Sequence, residues 1–274
     1  MLKKGIRDGC FGSTLTLEEK FELGAATDFQ GMEITLPLEG EYSITSPDSQ
    51  LLEIRGMSEN FGLQLHAMGA GMPWAYPLTA ADNATREQGL AYMRRTIDIA
   101  SLLGVDSLLT ITARVEQGVS YKDAWRVSQA ALRDLSVEAA DKGVYLLVEN
   151  VWNNFLYSPI EMARYIDEVE SDYVGAYFDV GNVVAFGYPE HWIEILGARI
   201  RKVHIKDFVR DRGNRDGFCP LLEGDVDWQV VMPALKDIGY EDWATLEVNA
   251  YSAYPEQGVA ELARQLDIIL AEYV

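Results

Sequence analysis

The sequence predicts a single (β/α)8 barrel domain spanning residues 1–274, and three observations carry that prediction. The chain is 274 residues long with 48% hydrophobic composition, enough to bury one large core in the size range of an α/β barrel. Strand-like and helix-like stretches alternate eight times at about 34 residues per unit, the arrangement of a parallel sheet closed on itself. Each of the last four apolar strand-like runs stops at a carboxylate or just after a histidine: Glu149, Asp179, His204 and Glu247. An open doubly wound sheet is the alternative, but no GxGxxG turn follows the first strand.

The elements follow in order. Gly5 to Phe11 reads as a first strand, and Thr16-Leu17-Glu18-Glu19 has the Thr-x-x-Glu pattern of a capping box. Gly31 to Leu36 is a second strand stopped by Pro37, Ser46 to Asn60 suits a helix, and Leu63 to His66 is a third strand. Gly69 to Trp74 then reads as a loop, because its glycines and proline break regular structure. Between Asn83 and Leu103 the residues Leu90, Met93, Ile97 and Ala100 form one apolar helical stripe, ended by Gly104. Val105 to Ile111 is strand-like, and Ser120 opens a helix to Lys142. After the Glu149 strand, Ser158-Pro159-Ile160-Glu161 combines an N-cap serine, a first-turn proline and a capping-box glutamate. The remaining elements are the Asp179 strand, a helix around His191 to Ala198, the His204 strand, a loop from Arg210 to Glu223, a helix from Asp227 to Ile238, the Glu247 strand and a last helix.

Charge narrows the function. The net charge of −20 argues against nucleic acid or an anionic membrane surface as partner, since both demand clustered cations. No apolar run reaches the ~18 residues of a membrane span, and no signal-peptide segment follows Lys3 and Lys4, so a cytoplasmic location is expected. Cys10 and Cys219 are the only cysteines and form no metal-binding or disulfide pattern. A small-molecule partner remains, and a homo-oligomer is compatible.

In a barrel, the C-terminal ends of the strands share one mouth. The gaps between Glu149, Asp179, His204 and Glu247 are 30, 25 and 43 residues, each about one βα unit, so the four side chains converge. Three carboxylates and an imidazole in one mouth repel each other unless a counter-ion is present. Oxygen ligands with one nitrogen suit Mn²⁺ first, with Mg²⁺, Co²⁺ or Zn²⁺ as alternatives. Such an ion would polarise the carbonyl of a hydroxy-ketone and stabilise an enediolate.

Val148-Glu149-Asn150, Phe178-Asp179-Val180-Gly181-Asn182, Val203-His204-Ile205-Lys206-Asp207, Glu223-Gly224-Asp225-Val226-Asp227-Trp228 and Leu246-Glu247-Val248 resemble motifs of the xylose isomerase-like superfamily of sugar isomerases and epimerases. The resemblance covers the C-terminal half well and the N-terminal half in outline. It implies that Glu149, Asp179, His204 and Glu247 are the metal ligands of a ketose 3-epimerase-like site. It also implies that Glu149 and Glu247 are the acid/base pair on opposite faces of the substrate, and that Arg210 orients substrate oxygens. Free-ketose epimerases of this kind carry a histidine where this chain has Asn182; Asp-x-Gly-Asn looks more like the phosphorylated-pentulose branch.

Between Arg199 and Arg215 seven basic residues face two acidic ones. Of these, Lys206, Arg210, Arg212 and Arg215 are expected at the mouth, where they can hold a substrate phosphate or carboxylate. His66, ending the third strand, is expected to contact substrate, and Trp74 and Trp152 to stack on a sugar. The expected activity is epimerisation or aldose–ketose isomerisation of a sugar or sugar phosphate. Dehydration by an inosose or dehydroshikimate dehydratase-type lyase is the alternative on the same frame. An endonuclease IV-like repair enzyme needs more than the three histidines present, and a non-catalytic sugar-binding barrel is the last reading.

Overall fold

The computed structural model describes residues 2–70, 72–251 and 253–273, with the Met72 side chain also left aside. Among them, eight parallel strands close into a barrel: β1 (Lys3–Arg7), β2 (Gly31–Leu36), β3 (Gln64–Ala70), β4 (Ser107–Thr110), β5 (Tyr145–Glu149), β6 (Val174–Asp179), β7 (Ile200–Ile205) and β10 (Trp243–Leu246). Each pairs with its sequence neighbour, and β10 pairs with β1 to complete the ring. Eight helices alternate with them: α1 (Leu17–Ala26), α2 (Asp48–Phe61), α3 (Asn83–Leu103), α4 (Tyr121–Asp141), α5 (Pro159–Asp167), α6 (Pro189–Leu196), α7 (Trp228–Asp237) and α8 (Pro255–Ala271). The fold is the TIM barrel expected from the alternation.

Local chemistry sets the helix starts. Thr16 accepts the Glu19 N–H while the Glu19 carboxylate accepts the Thr16 N–H, a complete capping box. Ser158 accepts the Glu161 N–H ahead of Pro159, but the expected reciprocal bond is not made. The Glu161 carboxylate instead accepts the Tyr157 N–H at 2.8 Å and the Tyr121 hydroxyl at 2.5 Å, which ties α5 to the start of α4.

Three expectations are corrected. β1 ends at Arg7, and Asp8–Phe11 turn as a 3-10 helix. β3 runs on from His66 to Ala70, and Met72–Trp74 form a 3-10 turn where a loop was expected; Gly71 lies outside the described residues. The loop after β7 contains a two-stranded antiparallel pair, β8 (Asp207–Phe208) with β9 (Phe218–Cys219).

The main apolar core lies between strands and helices, and strands buried on both faces read as nearly continuous apolar runs. A second, smaller cluster of Ala67, Leu147 and Tyr177 fills the barrel interior. It forms the floor on which the mouth is built.

Candidate active site

Strand register brings the four predicted ligands together. Glu149 and Asp179 are the last residues of β5 and β6, His204 on β7 is in register with Asp179, and Glu247 follows β10, its N–H donating to Ile205 O at 3.1 Å. One donor atom from each of the four lies within 4.8 Å of the others. Asp179 and His204 are fully buried. His204 Nδ1 has no hydrogen-bond partner, yet it faces Glu247 Oε2 at 3.4 Å, Glu149 Oε1 at 3.7 Å and Asp179 Oδ2 at 3.9 Å. An unpartnered imidazole nitrogen aimed among three carboxylates fits a divalent ion that prefers oxygen with one nitrogen.

Electrostatics fit the same ion. Burial pushes the Asp179 carboxyl up to about 7; Lys206 opposes that rise, while Glu247 and Glu149 add to it. Burial alone would lower the His204 imidazole, but the attraction of Glu33 and Glu247 carries it well above its ordinary value. Burial would raise Glu247, yet Lys206, His204 and Arg7 hold it well below the usual carboxylate range. Lys206 Nζ donates to Glu247 Oε2 at 2.7 Å and Asp179 Oδ2 at 3.3 Å, and Arg7 Nη1 bonds Glu247 Oε1. Glu247 thus sits between two cations; among the described contacts Glu149 has neither.

Above the quartet opens a cavity of about 280 Å³, at the lower end of the range for small-molecule sites. Trp74, Trp152 and Phe218 give it aromatic walls, and its polar lining includes Arg7, Glu33, Glu149, Asn182, Lys206, Arg215 and Glu247. Asn182 is fixed by its N–H donating to Asp179 Oδ1 at 2.8 Å, and Trp152 by its Nε1–H donating to Asn182 O at 2.7 Å.

Two residues expected to contact substrate, His66 and Arg210, do not line this cavity. His66 is the third residue of a seven-residue strand, lies inside the barrel below the mouth, and stacks on Trp243 with ring centroids 4.2 Å apart. A Cβ on Gly5 would come within 2.7 Å of His66 Nε2, so only glycine fits there. Arg210 turns outward, its guanidinium 4.7 Å from the Tyr188 ring centre and donating to Gly187 O at 3.0 Å.

Two residues escaped the sequence reading. Arg7 ends β1 and lies in register with Glu33 on β2. Glu33 is fully buried, accepts the Tyr177 hydroxyl, and has Oε2 2.9 Å from His204 Nε2. For Glu33 the available signal was a single charge inside the apolar run Met32-Glu33-Ile34; Arg7, between Ile6 and Asp8, stands out by no such contrast.

A closed parallel barrel carrying this acidic, histidine-bearing mouth belongs to the xylose isomerase-like TIM barrel family, whose profile matches residues 21–269. Among its relatives is L-ribulose-5-phosphate 3-epimerase UlaE of Escherichia coli strain K12, 27% identical over 218 residues, or 77% of this chain and 72% of that protein. The D-psicose 3-epimerase of Clostridium cellulolyticum H10 with D-tagatose superposes with a TM-score of 0.83 at 17% identity over 99% of both chains. An L-ribulose 3-epimerase superposes with a TM-score of 0.81 at 21% identity, covering 100% of this chain and 95% of that one. These relatives are named as epimerases, a kind of isomerase, and the two superpositions bear on the fold. No described helix is long and apolar enough to cross a membrane.

Proposed function

We propose that this protein is a divalent-metal-dependent isomerase that epimerises a ketose or ketose phosphate at a carbon beside the carbonyl. The observation that carries the reading is the unpartnered His204 Nδ1 facing three carboxylates, two of which, Glu149 and Glu247, line the cavity. Glu149, Asp179, His204 and Glu247 would hold the ion, with Mn²⁺ the first candidate. When bound, it supplies a Lewis acid that polarises the carbonyl and acidifies the neighbouring C–H. One glutamate takes the carbon-bound proton and the other returns a proton to the opposite face, inverting the centre. Lys206 and Arg7, already against Glu247, offset the negative charge that develops on the substrate oxygens. Trp74 and Trp152 pack on the carbon skeleton, and Asn182 offers a hydrogen bond.

The names of the curated relatives support a ketose phosphate, as does the Asp-x-Gly-Asn sequence at Asp179 to Asn182. The test is solvent deuterium incorporation into a panel of free and phosphorylated ketoses, with Mn²⁺ present or chelated. Metal-dependent incorporation at C3 is expected; incorporation at C1 would mean aldose–ketose isomerisation. An unsaturated, ultraviolet-absorbing product would mean dehydration instead. No incorporation into any of them would sink the reading.

The loop after β7 narrows the anion contact. Lys206 is held by Asp179 and Glu247, Arg210 turns outward, and Arg212 Nη1 donates to Asp216 O at 2.8 Å. Arg215 lines the cavity, and among the described residues no carboxylate pairs with it. Arg215→Ala is therefore expected to raise KM for a ketose phosphate by roughly tenfold or more, the value of a charged hydrogen bond. The free ketose should be unaffected, and an equal change for both would remove Arg215 from phosphate binding.

A further inference from the structure

Glu33 is hard to explain as packing. It occupies the barrel interior, where branched apolar side chains are the rule, and an ionised carboxylate there is costly unless paired and hydrogen-bonded. Each of its oxygens faces a different part of the site. Oε2 accepts the Tyr177 hydroxyl and lies 2.9 Å from His204 Nε2. Oε1 is buried without a hydrogen bond, 3.6 Å from Arg7 Nε. Arg7 in turn donates from Nε to Thr35 Oγ1 at 3.3 Å and pairs through Nη1 with Glu247.

We propose that Glu33 is a positioning residue that serves the metal ligand His204 on one side and the substrate-side cation Arg7 on the other. By accepting the Nε2–H, it holds the His204 ring in the tautomer whose Nδ1 lone pair points at Glu149, Asp179 and Glu247. A histidine that ligates through one nitrogen needs such an acceptor at the other, both to fix the ring and to raise its donor strength. By facing Arg7, the same carboxylate keeps the guanidinium beside Glu247, so that cation is already in place when substrate arrives. Tyr177 aims Oε2: its ring is 4.4 Å from the His204 ring, and its hydroxyl leaves Glu33 little freedom to rotate away.

The inference rests on the metal reading above and is tested with the ion alone. Binding of Mn²⁺ is followed by the electron paramagnetic resonance signal of the free ion, for the wild type, Glu33→Gln and Tyr177→Phe. In parallel, ¹⁵N spectra of the imidazoles are recorded in the Mg²⁺ form; with three histidines in the chain, His204 is assigned by elimination using His66 and His191 variants. Glu33→Gln should raise the Mn²⁺ dissociation constant about 10- to 100-fold and mix the two His204 tautomers, where the wild type carries its proton on Nε2. Should Glu33→Gln not fold, Tyr177→Phe carries the test, because it keeps the ring that fills the floor. It should weaken Mn²⁺ several-fold, and unchanged affinity would overturn the inference. Tight wild-type binding with Glu33→Gln unchanged in both affinity and tautomer overturns this inference alone. A wild type that binds neither Mn²⁺ nor Mg²⁺ overturns the metal reading and this inference with it.

Discussion

Glu149→Gln and Glu247→Gln are each expected to stop inversion of the substrate carbon, lowering the epimerisation rate by about 10²- to 10⁴-fold, the usual worth of a positioned acid or base. Both residues line the cavity and both lie beside His204 Nδ1, so a loss of rate alone would not separate proton transfer from loss of the ion. Isotope exchange separates them. If each glutamate serves one face, Glu149→Gln should still wash deuterium into one epimer with retention, and Glu247→Gln into the other. Asp179→Asn, which removes a ligand but no acid or base, should regain both exchanges at high Mn²⁺. The two-base reading would be falsified if both glutamine variants lost exchange from both epimers at saturating Mn²⁺ while Asp179→Asn kept it.

Adding Mn²⁺ should also stabilise the fold, and the size of that effect should depend on pH. An ion that binds only the folded chain contributes about 2.7 kcal/mol at a hundred times its dissociation constant. For a chain of 274 residues that corresponds to a rise in Tm of about 5 °C. The sign of the pH dependence follows from two groups. Burial raises Asp179 to about 7, and facing carboxylates raise His204 well above its ordinary value. Both folded-state values exceed the unfolded ones, so the ion-free fold binds more protons than the unfolded chain. For Asp179, the ion-free stability falls as pH rises from about 4 to 7; for His204, it falls from about 6.5 upward through its folded value. The ion must displace those protons. The Mn²⁺-dependent gain in Tm should therefore grow from pH 5 to pH 8, as thermal scans with and without a chelator can measure. A constant gain over that range would mean that neither group is deprotonated on binding.

The convergence of Glu149, Asp179, His204 and Glu247 was legible because each lies at or next to the end of an apolar run, and a parallel barrel turns strand ends into neighbours. The helix starts at Thr16 and Ser158 were legible because capping is chemistry local to four residues. His66 was misplaced because Ala67-Met68-Gly69-Ala70 contains no β-branched residue to show that β3 continues. An error of four residues moved that histidine from the barrel interior to its mouth. Arg210 and Arg215 could not be told apart, because their directions depend on 3-10 turns and the β8–β9 pair inside one loop. Glu33 and Arg7 went unnoticed because the partners that reveal their roles lie 171 and 240 residues away.

Asp207 begins that loop, and its carboxylate gathers both ends of it. Oδ1 accepts the N–H groups of Phe208 and Val226 at 2.8 and 3.3 Å, and Oδ2 accepts that of Leu222 at 3.0 Å. A Cβ on Gly224 would fall 2.0 Å from Asp207 Oδ1, so the returning backbone closes against the carboxylate. The excursion from Val209 to Leu221 is thus fastened at its root, one step beyond Lys206 and three beyond His204. Within it, Phe218 reaches back to the barrel, its ring centre 4.6 Å from Lys206 Nζ. In mechanical terms, the Asp207 carboxylate is a fixed joint between the loop and the rim of the barrel.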